Sequence, residues 1–176
     1  LDLGDAGRSD LDLESLSLSA GFPLNPDWTL RLGAGAVYGG QLQTEQGTIH
    51  EFDNGFLGAV SLERENPLQD SFLDQLDYSI SLSGVFANTV GTGSDAEGDY
   101  TAFDLRFGVR AVKRVSTGSV GYLAGRAFGG PVNWEIGDSE NTGSDVHHYQ
   151  LALGYAIQLG KAGIFAEWSA LGEQGF

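Results

Sequence analysis

The chain has no cysteine, no methionine, only 4 prolines, and 9 basic residues against 24 acidic ones in 176 residues. Without cysteine there is no disulfide framework and no thiolate metal site. The absence of methionine leads to the expectation of a mature chain whose start, such as a signal peptide, has been removed, or of a fragment. The formal net charge of -15 repels phosphates, so no nucleic-acid partner is expected. No apolar run approaches the roughly 18 residues of a membrane-crossing helix, but a spanning β-strand needs only about 9–11 alternating residues.

What the chain has in abundance is alternation. In WTLRLGAGAVYGG, Trp28, Leu30, Leu32, Ala34, Ala36 and Tyr38 fall on one face, and Thr29, Arg31, Gly33, Gly35 and Val37 on the other. In FDLRFGVRA, Phe103, Leu105, Phe107, Val109 and Ala111 oppose Asp104, Arg106, Gly108 and Arg110. Glycine, serine, asparagine and aspartate clusters punctuate such runs. The pattern predicts eight strands near 11–24, 28–43, 50–65, 73–90, 100–115, 119–135, 147–159 and 163–174, closing on themselves, with residues 1–10 as an N-terminal extension. In GYLAGRAFGG the alternation is broken, which leaves the face of Arg126 ambiguous.

Connections alternate between tight (24–28, 113–119, 159–163) and long (43–48, 90–99, 137–146), with an intermediate link at 65–71. Short turns at one end and longer loops at the other characterise membrane barrels. Aromatics concentrate at both ends. Trp28, Tyr122, Phe165 and Trp168 follow tight turns. Tyr38, Phe86, Tyr100, Phe103, Trp134 and Tyr149 lie near the loops. Trp28, Tyr38, Tyr122, Trp134, Tyr149 and Trp168 are accordingly expected at the two membrane interfaces. The opposite, polar face provides the candidate lumen residues Arg31, Asp77, Asp104, Arg106, Arg110, Gln150 and Glu167, with Ser79, Ser81, Ser83, Gln158 and Ser169. An eight-strand barrel is just wide enough for side chains to fill it, so these charges are expected to form an ion-paired plug; a selective pore lining is the alternative.

The three histidines, His50, His147 and His148, lie at the loop end near Glu51 and Asp145, without the spacing of a metal or nucleophilic site, and read as exposed strand-end residues. Asp95 to Asp99 carries acids at alternate positions but lacks a calcium-loop pattern. No catalytic residue, metal or cofactor is expected.

The alternating WTLRLGAGAVYGG, TAFDLRFGVRAV and YQLALGYAIQL, the tight LGKAG turn and the terminal Phe176 together resemble the small outer-membrane β-barrel superfamily of Gram-negative bacteria, over about 11–176 and at the level of architecture. The resemblance implies an all-β, up-and-down antiparallel transmembrane β-barrel of about eight strands, or part of a ten-strand barrel, located in the outer membrane. The lipid bilayer and outer-membrane lipids are the implied partners, with a protein partner at the acidic loops a further one. The expected role is structural or interaction-based and not enzymatic. A narrow pore, a soluble ligand-binding barrel and a lipid-modifying surface enzyme are the other readings. One departure stands out: counting eight strands puts both termini with the long loops, where that superfamily has them with the short turns.

Overall fold

The computed structural model describes residues 9–45, 47–92, 97–136, 139–144, 148–159 and 162–171. Strands β1 (Ser9–Pro23), β2 (Trp28–Thr44), β3 (Ile49–Pro67), β4 (Gln75–Gly91) and β5 (Glu97–Ser116) run up and down in sequence order. They are followed by β6 (Ser119–Gly129), β7 (Pro131–Ile136), β8 (Ser139–Ser144), β9 (Tyr149–Leu159) and β10 (Ala162–Leu171). These ten segments make an antiparallel sheet eight strands wide, in the order β1-β2-β3-β4-β5-β6-β9-β10. The β7–β8 hairpin extends it, because β7 continues along the β5 partner line that β6 leaves at Gly129. The break is at Gly130, where any side chain would collide with the Phe103 backbone.

The sheet curls into a half-barrel and does not close. Among the described residues β1 pairs only with β2, and β10 only with β9. This corrects the expectation of eight strands that close: alternation specifies strands and faces, but closure depends on curvature and edge pairing, which period alone does not encode. Two further differences are local. β1 begins at Ser9, inside the stretch read as an extension, and the polar stretch 137–146, read as a loop, contains β8.

Strand phase is reset by bulges near the loop end. Ser15 pairs with Val37 but Glu14 with Gly39, leaving Tyr38 as the extra residue, and Gly40 takes the φ of 120° that the distortion demands. On β3 the register also slips between Phe52 and Gly55. A one-residue shift exchanges the two faces of a strand. Even-numbered Leu32, Ala34 and Ala36 therefore face outward, while even-numbered Leu42 and Thr44 turn inward.

The concave face consequently has two zones. At the loop end it is a packed apolar core of Val37, Leu42, Phe52, Ala87, Tyr100, Val132 and Trp134, supported by Leu13, Leu57 and Val85. Leu42 is 0% and Trp134 1% exposed. Toward the turn end the concave face is mainly polar, with a smaller buried apolar cluster of Val112, Tyr122, Ala124 and Ala152 among its charges. The convex face is the reverse of an aqueous surface: Leu16, Leu18, Leu32, Phe56, Leu82, Leu105, Phe107, Leu123, Leu151, Leu153 and Trp168 are all exposed, Leu18 by 82%.

Candidate functional site

The polar zone is built from inward-facing residues of neighbouring strands at several levels, and its ladder is fixed by register. Asp77 pairs with Arg110 and Ser81 with Arg106 across β4 and β5; Gly108 pairs with Arg126 across β5 and β6. Arg126 pairs with Gln150 across β6 and β9, and Gly154 with Glu167 across β9 and β10. The structure thus brings Arg31, Asp77, Asp104, Arg106, Arg110, Gln150 and Glu167 onto one concave surface. It also resolves Arg126: the strand alternates cleanly, with Tyr122, Ala124, Arg126 and Phe128 inward and Leu123, Gly125 and Ala127 outward. Gln158 and Ser169 have side chains outside the described set, as does Phe165.

Every arginine in this zone has a carboxylate. Arg31 donates to Glu63 through Nε at 3.0 Å and through a terminal nitrogen at 3.3 Å. Arg106 pairs with Asp104 at 3.1 Å and lies over the Phe128 ring at 4.9 Å. Arg110 donates to Asp77 at 2.7 and 2.8 Å, and the other Asp77 oxygen accepts from Gln75 at 2.6 Å. Asp77 is only 5% exposed, and this full set of partners is what makes an ionised carboxylate tolerable there. Arg126 donates to both oxygens of Glu167 at 2.6 and 2.7 Å and to Gln150 at 2.8 Å. Tyr122 stands against Glu167 and carries Arg110 over its ring at 5.5 Å. A chain of contacts from Gln75 to Gln150 therefore ties β4, β5, β6, β10 and β9 together. Gly154 permits it, because a Cβ there would overlap the Tyr122 ring.

These charges balance one for one: Arg31, Arg106, Arg110 and Arg126 against Glu63, Asp104, Asp77 and Glu167. A recess of about 270 Å³ lies among Ser61, Ser79, Ser81, Arg106, Arg110 and Arg126. Hydroxyls and already-paired guanidiniums can hold water or a small polar solute there. Among the described residues no nucleophile–base pair is hydrogen-bonded, and no group of three or more His, Asp or Glu side chains is arranged to hold a metal.

The aromatic expectations divide. Trp28, Tyr38, Tyr149 and Trp168 are on the convex face, where Trp28 is capped by Arg64 at 5.6 Å. Tyr122 and Trp134 are not; both are buried on the concave face, which corrects their assignment to an outer belt. They share strand phase with Arg126 and Val132, and phase outranks residue type in deciding which side a ring takes. Convex Phe56, Phe86 and Phe103 form a row instead, with centroids 4.9 and 5.4 Å apart.

His50 is a second correction. It is 5% exposed inside the loop-end core, edge-on to Trp134 at 4.6 Å, with no hydrogen-bond partner for Nδ1. The phase slip on β3 turns it inward, and burial pushes its pKa below the ordinary histidine value. Trp134 in turn donates Nε1–H to the Thr89 hydroxyl at 3.1 Å. His148 is exposed, and its carbonyl accepts from Phe128. His147, Asp145, Asp95, Phe176 and the centre of the LGKAG turn lie outside the described residues.

Glu63, Arg126 and Thr89 are the site residues that sequence reasoning did not list. A signal existed for Glu63, which alternates with Val60 and Leu62 and so shares a face with Ser61.

The remaining charge is divided by height. Beyond Phe56, Phe103 and Tyr149, the loop end carries Asp10, Asp12, Glu14, Glu45, Glu51, Asp53, Glu97, Asp99, Glu135 and Glu140, and no lysine or arginine among the described residues. The other described bases, Arg64, Lys113 and Arg114, are at the turn end. There Asp74 accepts the Arg114 backbone N–H at 2.7 Å and Lys113 at 3.3 Å, and these contacts hold its carboxyl below the usual range.

No family model, curated protein or solved structure matches the chain.

Proposed function

We propose that the chain is the wall of an outer-membrane β-barrel with a structural or interaction role: its convex face meets lipid, its concave face holds an ion-paired interior, and its acidic loop end stands in water. The observation that carries this reading is the inversion of faces. Burying one large apolar side chain is worth about 1.5–3 kcal/mol, and here a continuous band of them faces outward while Arg, Asp and Glu face inward. In water such a surface is a strong association site; in hydrocarbon it is matched.

The pore reading is weaker, because the concave arginines are already paired with carboxylates and the loop end of the concave face is a dry core. The soluble ligand-binding reading requires an apolar interior below that core, where this chain has four salt bridges beside only a small apolar cluster of Val112, Tyr122, Ala124 and Ala152. A surface enzyme needs a reactive group, and the buried His50 and exposed His148 have no partnering acid or nucleophile described.

The test is refolding of the chain into detergent and lipid vesicles, followed by electrophoresis with and without boiling. The reading expects detergent-dependent solubility and a band that shifts on heating. A chain that is monodisperse in plain buffer, with Leu105 and Leu153 shielded from a soluble quencher, removes it.

A further inference from the structure

Arg64 differs from the other described bases. Arg31, Arg106, Arg110 and Arg126 are paired with carboxylates in the interior, and Lys113 and Arg114 share Asp74 at the turn end. Arg64 is exposed and forms no ion pair with a described carboxylate. Strand phase is the reason. Its neighbours Glu63 and Glu65 point to the concave face, where Glu63 holds Arg31 and Glu65 pairs in register with Asp77. Arg64 points the other way, in phase with Leu62, Val60 and the exposed Phe56.

On the convex face its surroundings are aromatic. Its register partners are Trp28 on β2 and Tyr78 on β4, and its guanidinium lies over the Trp28 ring at 5.6 Å. Stacking on a ring uses the flat face of the cation and leaves its in-plane N–H donors free. The turn before β2 fixes the ring in place. Asn25 Oδ1 accepts the Asp27 and Trp28 N–H groups at 3.0 and 3.1 Å, and the Asp27 carbonyl accepts the Glu65 N–H at 2.8 Å. Trp28, Arg64 and Tyr78 thus form one preformed rung.

Height gives the rung its meaning. From Phe56, in the loop-end aromatic row, to Arg64 is nine residues, about one membrane-spanning strand. Between them this face of β3 carries Gly58, Val60 and Leu62. Arg64 therefore stands at the far boundary of the apolar band, where a charge costs far less than at the midplane and where headgroup phosphates lie. A planar guanidinium fork matches a phosphate. We propose that the Trp28–Arg64–Tyr78 rung binds the phosphodiester of an anionic glycerophospholipid, whose acyl chains lie along the apolar face of β2 to β4 toward the loop end. This rests on the lipid reading. A zwitterionic headgroup fits less well, because its ammonium would stand beside Arg64, and the Trp28 face that could accept it is already covered.

Native mass spectrometry of the full chain, refolded in detergent, tests this. Phosphatidylglycerol, phosphatidylcholine and glycerol phosphate are the probes. The expected result is one phosphatidylglycerol retained per chain in preference to phosphatidylcholine, with about tenfold weaker retention in Arg64→Gln. Arg114→Gln removes the same charge at the same end and should retain the lipid as wild type does. Arg64→Lys keeps the charge but loses the fork, and should fall between; it decides the matter if Arg64→Gln does not fold. Equal retention of phosphatidylcholine, an equal loss in Arg114→Gln, undiminished retention in the Arg64 variants, or glycerol phosphate binding as tightly as the lipid overturns the inference and leaves the lipid reading standing. Monodisperse solubility without detergent overturns both.

Discussion

Arg126 on β6 reaches past β9 and lays two guanidinium nitrogens on the two carboxylate oxygens of Glu167 on β10, at 2.6 and 2.7 Å. This ion pair skips a strand, and it links an edge strand to the interior network of the sheet.

Glu167→Gln should therefore loosen the edge. One charge-assisted pair is lost, and Arg126 keeps Gln150 alone. With both side chains partly exposed, the expected cost is about 1–3 kcal/mol. Denaturant unfolding in detergent measures it, and a double cycle with Arg126→Gln should return a coupling energy above about 0.5 kcal/mol.

Gly154→Ala tests the space that network needs. The added methyl falls on the Tyr122 ring, so β9 or the ring must move, at about 1–3 kcal/mol. Tyr122→Ser in the same chain should recover part of that loss. Equal stability of Gly154→Ala and wild type would show that Tyr122 does not occupy this position.

The loop-end core makes a pH prediction. His50 has a pKa below its unfolded value because burial disfavours the cation. The unfolded chain therefore binds the proton more readily. The stabilisation is complete above about pH 6.5 and is lost as pH falls through the folded value. Thermal midpoints should drop across that window in wild type and drop less in His50→Leu. Asp74 adds to acid sensitivity with the same sign at lower pH, since its carboxyl is also held below its ordinary range.

The two surfaces of the sheet should respond oppositely to substitution. Trp134→Ala removes a fully buried ring and should cost about 3–5 kcal/mol. Leu105→Ala on the convex face should cost under about 1 kcal/mol in detergent, while Leu105→Arg should cost about 2–4 kcal/mol in a bilayer. If Leu105→Arg instead improves solubility at no cost to folding, the convex face does not meet lipid.

Much of this was legible in the residues. Arg31, Asp104, Arg106 and Arg110 were placed on one face by alternation alone, because a sheet with unlike surroundings imposes period two on its sequence. What escaped was where the count slips. Leu32 and Leu42 have the same parity yet face opposite ways, since the bulge at Tyr38 adds one residue and nothing in an alternating string marks it except Gly39–Gly40. A slip of the same kind on β3, between Phe52 and Gly55, hides the inward turn of His50 from an alternation count. β8 was invisible because SENTGS has no apolar phase, and Tyr122 and Trp134 were assigned by residue type where phase decides. Closure was not legible, because curvature is a property of the whole sheet.

The loop end carries carboxylates with no base among its described residues, and a fixed layer of one sign behaves as a cation-exchange film. At low ionic strength it gathers protons as well as metal cations, so the water at that mouth is more acidic than the bulk. At about 0.15 M salt the Debye length is about 8 Å and the difference shrinks. His50 lies beneath this layer. The bulk pH at which its core loosens therefore falls as salt is added, and the acid response of the molecule depends on the ionic strength of its surroundings as well as on their pH.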